Sequence, residues 1–362
     1  MKKLALFLAM VMALGGLMGC GGSSGADDTP TRTIDGVNRD YEGSTLSILN
    51  WGEFIDEDIL VEFEKMTGIT VKYYTTASNE EMLVKVGSPD SVIDICFPSD
   101  FTTERMVEMD LLAEIDHNNI PNLQYIDERF LNLSFDDGNR YSVPYMWGTV
   151  GIMYNTTLVD EPVTSWNILW DEKYADQIYM YDSVRDTMAV SLKRLGYSLN
   201  STNEAEINEA MEELIKQKPI VKAYLDDPMK DRMVAGEGAF GVIYSGDAFW
   251  CIQENPDLAY AVPDEGSNIF CDAAVILKNT KNKAAAEMFL NFLCDPEISL
   301  KNTDYIGYST PNKVAMQNVD PEWLEDETYN PPAEILDNCE VFHYLGDFTE
   351  VYGQAWSRVK SS

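Results

Sequence analysis

Apolar and polar positions along this chain follow two periods. Thr45-Leu46-Ser47-Ile48-Leu49 is an apolar run of strand length, and Ile69-Thr70-Val71-Lys72-Tyr73 alternates, so both predict strands. Between them Ile59, Leu60, Phe63 and Met66 recur on one helical face, which predicts a helix from Asp56 to Met66 stopped by Gly68. Ser78-Asn79-Glu80-Glu81 has the form of a capping box that opens a second helix. Val92 to Phe97 reads as a strand and Thr103 to Leu112 as a helix. This β-α-β-α order predicts an α/β fold with a parallel sheet and helices on both faces.

Past Pro144, Thr149-Val150-Gly151-Ile152-Met153-Tyr154 predicts a long strand that crosses into a second lobe. That lobe takes the helix Glu204 to Lys216, with Ile207, Met211, Leu214 and Ile215 on one face, the helix Met229 to Ala235 and the strand Ala239 to Tyr244. Ala273 to Leu277 crosses back, Lys283 to Leu293 is an amphipathic helix of the first lobe, and the chain crosses again after Tyr308. The expected division is 44–150 plus 273–308 for the first lobe and 151–272 plus 309–362 for the second. A chain of 362 residues is longer than one core usually holds.

The N-terminus reads as a targeting segment. Lys2 and Lys3 precede an apolar stretch, Leu4 to Leu14, too short to span a bilayer. Leu17-Met18-Gly19-Cys20 resembles a bacterial lipobox, in which Cys20 is lipidated and becomes the first mature residue. Residues 1–19 are then a lipoprotein signal peptide and 20–43 a flexible tether. The alternative is a plain secretory signal. The expected location is extracytoplasmic, with a lipid anchor in the outer face of the cytoplasmic membrane.

A formal net charge of −35 argues against nucleic acid, which needs a basic footprint, and weakly favours cationic ligands. Beyond Cys20 the cysteines are Cys96, Cys251, Cys271, Cys294 and Cys339, without CxxC or zinc-like spacing, so neither a metal site nor an obligatory disulfide is expected. His117 and His343 stand in no metal or triad spacing, and no hydrolase, phosphate-loop or dinucleotide fingerprint is present. No catalytic residue and no cofactor is expected. A carboxylate pair can cleave glycosides, which keeps an extracellular hydrolase open as an alternative.

The candidate chemistry is a recurring pairing of a carboxylate with an aromatic ring near a predicted strand. It occurs in Trp51-Gly52-Glu53-Phe54, in Tyr244-Ser245-Gly246-Asp247 and in Phe270-Cys271-Asp272. Ligands of open α/β sheets sit beyond the carboxyl ends of strands. Rings and carboxylates gathered there suit a small organic cation, the rings covering its methylenes and the acids pairing its ammonium groups. Each residue also has a plainer role open to it. Glu53 suits a helix cap, Asp186 a cap or a partner for Arg185, Asp247 an N-cap, Asp272 a solvated loop, and Trp51 and Tyr308 a core.

Several stretches resemble the polyamine-binding proteins of ABC transporters, the spermidine/putrescine type. They include Asn50-Trp51-Gly52-Glu53-Phe54, Ser78-Asn79-Glu80-Glu81-Met82, Pro98-Ser99-Asp100-Phe101 and Ser142-Val143-Pro144-Tyr145-Met146-Trp147-Gly148. Tyr181-Asp182-Ser183-Val184-Arg185-Asp186, Tyr244-Ser245-Gly246-Asp247 and Ile306-Gly307-Tyr308-Ser309-Thr310-Pro311-Asn312 complete the set, from Leu46 to the C-terminus. The resemblance implies a two-lobed periplasmic-binding-protein fold of type II, each lobe a mostly parallel sheet flanked by helices, with the ligand cleft between them. It implies a ligand set of Trp51, Glu53, Phe54, Ser99, Phe101, Ser183, Asp186, Tyr244, Asp247, Phe270, Asp272 and Tyr308. Phe101 replaces the family's tyrosine, Tyr244 its usual tryptophan, and Phe342 a glutamine near the tail. Ser183 stands where many members carry an acid, and Asp247 matches a position that is acidic in the putrescine-selective branch. Both favour the shorter amine. The implied role is capture of putrescine, spermidine or both by a monomer that delivers to an ABC permease. A choline- or betaine-like cation, a ferric ion held by tyrosines such as Tyr73-Tyr74, and a ligand-reporting sensor are the alternatives.

Overall fold

The computed structural model describes residues 33–362. The signal segment, Cys20 and most of the expected tether lie outside the described residues. The part of the tether that is described is docked: Ile34 is buried in the first core, and Asn291 Nδ2 donates to the Asp35 carbonyl at 2.6 Å. An apolar side chain that finds a core ends a tether earlier than composition suggests.

The strands are β1 (Thr45–Trp51), β2 (Thr70–Thr76), β3 (Ile95–Cys96), β4 (Ser142–Asn155), β5 (Ile178–Tyr181), β6 (Val221–Leu225), β7 (Phe240–Tyr244), β8 (Leu258–Ala261) and β9 (Ile269–Ile276). They form one mixed sheet in the order β2-β1-β3-β9-β4-β7-β5-β6, with β8 also paired to β4. The two ends are parallel (β1 with β2 and β3, β5 with β6 and β7), while β9 and β4 run antiparallel to their neighbours in the middle. β4 serves both ends of the molecule. Its residues Ser142 to Thr149 pair with β9, and Val150 to Tyr154 pair with β7.

Helices cover the sheet. Those of the first end are α1 (Glu57–Thr67), α2 (Asn79–Gly87) and α3 (Asp100–Glu108). α1 is opened by Asp56, whose side chain accepts from Asp58 N, and closed by Gly68 at φ 72°, a left-handed position that glycine takes without steric cost. Ser78 caps α2 by accepting from Glu81 N at 3.1 Å. The returning Glu81 carboxylate reaches Ala77 N, one residue before the cap. The second end carries α4 (Val184–Arg194), α5 (Glu204–Gln217), α6 (Pro228–Val234) and α7 (Ser245–Glu254). α8 (Lys283–Leu293) and α9 (Pro296–Ile306) return to the first end, and the C-terminal helix Phe348–Ser361 packs on α4 and α5.

Two main cores result. One gathers Leu46, Ile48, Phe63, Ile95, Phe289 and Phe292, with the Phe63 and Phe289 rings edge to face at 5.0 Å. The other gathers Trp166, Ile178, Met188, Leu192, Leu214 and Phe240. Tyr244 packs against both. The first predicted helix, the second and the Lys283 to Leu293 helix fall close to their expected places, whereas α3 starts three residues earlier than the apolar spacing suggested. β3 is shorter than Val92 to Phe97 because the Asp94 carboxylate takes Ser47 N–H at 2.8 Å, a donor that a longer ladder would use. Residues 309–313 remain against the first core: Trp147 N donates to Ser309 O, and Asn312 Nδ2 to Cys294 O at 2.9 Å. Among the described residues no helix is long and apolar enough to cross a membrane.

Candidate functional site

Three of the acids near the middle of the sheet sit in the first turn of a helix. Asp100 opens α3, Asp186 is the third residue of α4 and Asp247 the third of α7. The partial positive charge of a helix N-terminus favours a carboxylate there. The fourth acid, Asp272, lies inside β9 opposite Met146, beside an irregularity in β4 between Pro144 and Met146.

Asp186 is buried. Ser183, the N-cap of α4, accepts from its backbone N–H, and Tyr244 Oη donates to its Oδ2 at 3.1 Å. Its other oxygen, Oδ1, is buried with no hydrogen-bond partner. Burial raises its pKa, against the hydroxyls of Ser183 and Tyr244 and the charge of Arg185. Arg185 is not its ion-pair partner. That guanidinium donates to His343 O and Asn200 Oδ1, both at 2.9 Å, and lies 4.3 Å from the centre of the Phe342 ring. Neither is Asp186 the cap, since Ser183 is.

Asp272 is buried in its strand rather than solvated in a loop. Burial, reinforced by the charge of Asp100, lifts its pKa well above the carboxylate range, with the Ser99 hydroxyl opposing. Asp100 is itself 1% exposed. Its Oδ1 accepts from Phe101 N at 2.7 Å, its Oδ2 has no partner, and burial pushes its pKa up to about 7. Asp100 is not among the residues singled out from the sequence. Its signal was Ser99, a residue of N-cap type directly before an acid, which marks a helix start three positions ahead of Thr103.

A line of rings links the acids. Tyr181 meets Tyr244 at 5.1 Å between centres, Tyr244 meets Phe270 at 5.3 Å, Phe270 meets Tyr308 at 6.0 Å, and Tyr308 meets Phe54 at 5.4 Å. Tyr308 Oη donates to Asp247 Oδ2 at 3.0 Å, so two tyrosines of the line, Tyr244 and Tyr308, each place a hydroxyl on an acid. The other Asp247 oxygen accepts from Lys230 Nζ of α6 at 3.3 Å. Lys230 lies among Asp226, Asp227 and Asp231 in the sequence.

The geometry thus brings together Phe54, Ser99, Ser183, Asp186, Tyr244, Asp247, Phe270, Asp272 and Tyr308. Phe101 stands to one side, its ring edge-on to Phe342 at 6.0 Å and near Arg185. Trp51 is half-buried and outside the line of rings; its Nε1 is buried without an acceptor. Glu53 is exposed, at φ 53°, and does not cap α1, a role held by Asp56. Among the described residues no group of three or more His, Cys, Asp or Glu could hold a metal ion.

Known proteins resemble this chain over most of its length. The family of bacterial extracellular solute-binding proteins matches residues 58–331. The spermidine/putrescine-binding periplasmic protein of Escherichia coli is 34% identical over 322 residues, covering 88% of this chain and 92% of that protein. The crystal structure of the spermidine/putrescine ABC transporter substrate-binding protein of Streptococcus pneumoniae superposes with a TM-score of 0.80 at 39% identity, over 88% of this chain and 99% of that one. A lipoprotein of Treponema pallidum, TpPotD, superposes with a TM-score of 0.80 at 26% identity, over 87% and 99%. The chain belongs to the bacterial extracellular solute-binding proteins, in the group that contains the spermidine/putrescine-binding periplasmic proteins.

Proposed function

We propose that this protein captures a polyamine outside the cytoplasm and delivers it to an ABC permease. The observation that carries the reading is a pair of buried carboxylate oxygens without a hydrogen-bond partner, Asp186 Oδ1 and Asp100 Oδ2, with Asp186 tied to the line of rings by the Tyr244 hydroxyl. A primary ammonium has three donors and no acceptor, which is what those oxygens lack. A carboxylate about 4 Å away contributes on the order of 4 kcal/mol at an effective dielectric near 20, and a ring adds roughly 0.5–2 kcal/mol. Two such ends offset desolvation and closure well enough for micromolar affinity, about −8 kcal/mol. A quaternary amine such as choline has no N–H to give these acids, so it fits less well.

In this reading the segments 44–150 and 273–308, with 309–313 packed against them, form one lobe and 151–272 with the C-terminal helix the other, and the cleft between them closes on the ligand. Closure requires only that the ligand bind the closed form more tightly. No bond of the ligand is made or broken. The sequence Leu17-Met18-Gly19-Cys20 supports a lipid anchor through Cys20, and the protein acts as a monomer. Calorimetry of the purified protein against putrescine, cadaverine, spermidine, spermine and choline tests the ligand class; heat from choline with none from the polyamines overturns it. Unchanged polyamine uptake after deletion of the protein would overturn delivery and leave sensing.

A further inference from the structure

The two acids that take tyrosine hydroxyls from the aromatic line differ in one respect. At Asp186 a carboxylate oxygen has no donor. At Asp247 both oxygens are taken, Oδ2 by the Tyr308 hydroxyl and Oδ1 by an ammonium that belongs to the protein. Lys230 and Asp247 side chains are 21% and 20% exposed, so the pair is largely shielded from water and from salt. Burial works against the Lys230 charge, but Asp247 and then Asp227 hold its pKa above the usual lysine value, and Glu53 from the first end of the sheet adds to them. The Asp227 oxygen is farther away, at 3.8 Å, on an 81% exposed side chain. Lys230 therefore stands as an ammonium on a carboxylate that also takes a tyrosine hydroxyl, as Asp186 takes that of Tyr244.

We propose that Lys230 is a specificity-determining residue, a built-in cation that fills the amine position at Asp247 and limits how many ammonium groups the cleft accepts. This rests on the polyamine reading above. A ligand whose last ammonium reaches Asp247 meets a like charge already seated there. It must either displace Lys230 or share one acid with it. Like charges set against each other are a means of rejecting the wrong partner. A diamine held at Asp186, Asp100 and Asp272 avoids the conflict, and a triamine does not. Removing the Lys230 charge frees Asp247 for the additional ammonium.

The test compares the spermidine-to-putrescine affinity ratio of the wild type, Lys230→Gln, Lys230→Met and Lys230→Arg by calorimetry. Both neutral variants are expected to shift the ratio toward spermidine by about tenfold or more, and Lys230→Arg to keep it near the wild-type value. A purely structural ion pair lowers both affinities, or the melting temperature, without moving the ratio. If the wild type binds polyamines and the ratio stays unchanged in either folded neutral variant, this inference falls and the polyamine reading stands. If the wild type binds neither amine, both fall.

Discussion

Gly246 and Tyr308 lie so close that a Cβ at position 246 would come within 2.2 Å of Tyr308 Cδ2. The ring rests on the backbone of the first turn of α7, which places its hydroxyl 3.0 Å from Asp247 Oδ2. Only glycine permits that approach. Gly148 does the same for Phe270, whose ring would be 3.0 Å from an added Cβ. The aromatic line is thus held by missing side chains as much as by present ones.

Gly246→Ala must move the Tyr308 ring and break its bond to Asp247. The expected cost is about 1–3 kcal/mol of stability, the usual range for overpacking, with a loss of polyamine affinity. Tyr308→Phe keeps the ring and loses only the hydroxyl bond, about 1 kcal/mol. Urea unfolding of both variants checks the order. Equal stability of Gly246→Ala and wild type would show that the ring has room to shift.

Asp186→Asn tests the acid on which the proposed function leans most. The amide keeps the shape and still accepts from Tyr244. It removes a buried charge that lacks a full set of partners, so the ligand-free protein should lose little stability. Affinity for putrescine should fall by about 2–5 kcal/mol, roughly 30-fold or more. Calorimetry reads the affinity and a thermal melt reads the stability. Wild-type affinity in the variant would remove Asp186 from the site.

Much of this was legible in the chain. Asp56 to Gly68 and Ser78 to Glu81 announced their helices because caps and apolar spacing agreed locally. The pairing of Asp247 with Tyr244 and of Asp272 with Phe270 marked these residues as candidates near strand ends, whereas Asp272 lies inside β9. Asp100 and Lys230 were not legible as site residues, since what distinguishes them is distance to residues far along the chain. Lys230 meets Asp247 across 17 positions, and the field of Asp100 acts on Asp272 across a gap that only the β3–β9 pairing closes. The antiparallel centre of the sheet was likewise hidden, because strand direction follows from the long connections and not from the strand sequences.

Glu53 provides a contrast with Asp186. Its side chain is exposed and its backbone is in the left-handed region. Solvent screens an exposed charge, so Glu53→Gln should cost less than about 1 kcal/mol of polyamine affinity. Glu53→Gly should relieve backbone strain and raise the unfolding free energy by up to about 1 kcal/mol. Denaturant titration checks the second outcome and calorimetry the first. A large loss of affinity in Glu53→Gln would mean that the cleft buries Glu53 when the ligand is bound.

The buried acids make both stability and binding depend on pH, in opposite senses. Burial raises Asp100 from an ordinary 3.8 to about 7 in the folded chain. Between those values the folded state holds a proton that the unfolded state has released. The stability contributed by Asp100 is therefore complete below about pH 4 and is lost as pH rises through about 7. The ligand-free wild type should lose up to about 4 kcal/mol from this group across that window, and Asp100→Asn should lose correspondingly less. Asp186 and Asp272 are raised by the same cause and add to the slope. A bound ammonium favours the charged acids, so polyamine binding should expel protons and tighten as pH climbs from 5 to 7. Calorimetry at pH 6 in two buffers of different ionisation enthalpy measures that release, and identical heats in both buffers would show that these acids are already ionised before the ligand arrives.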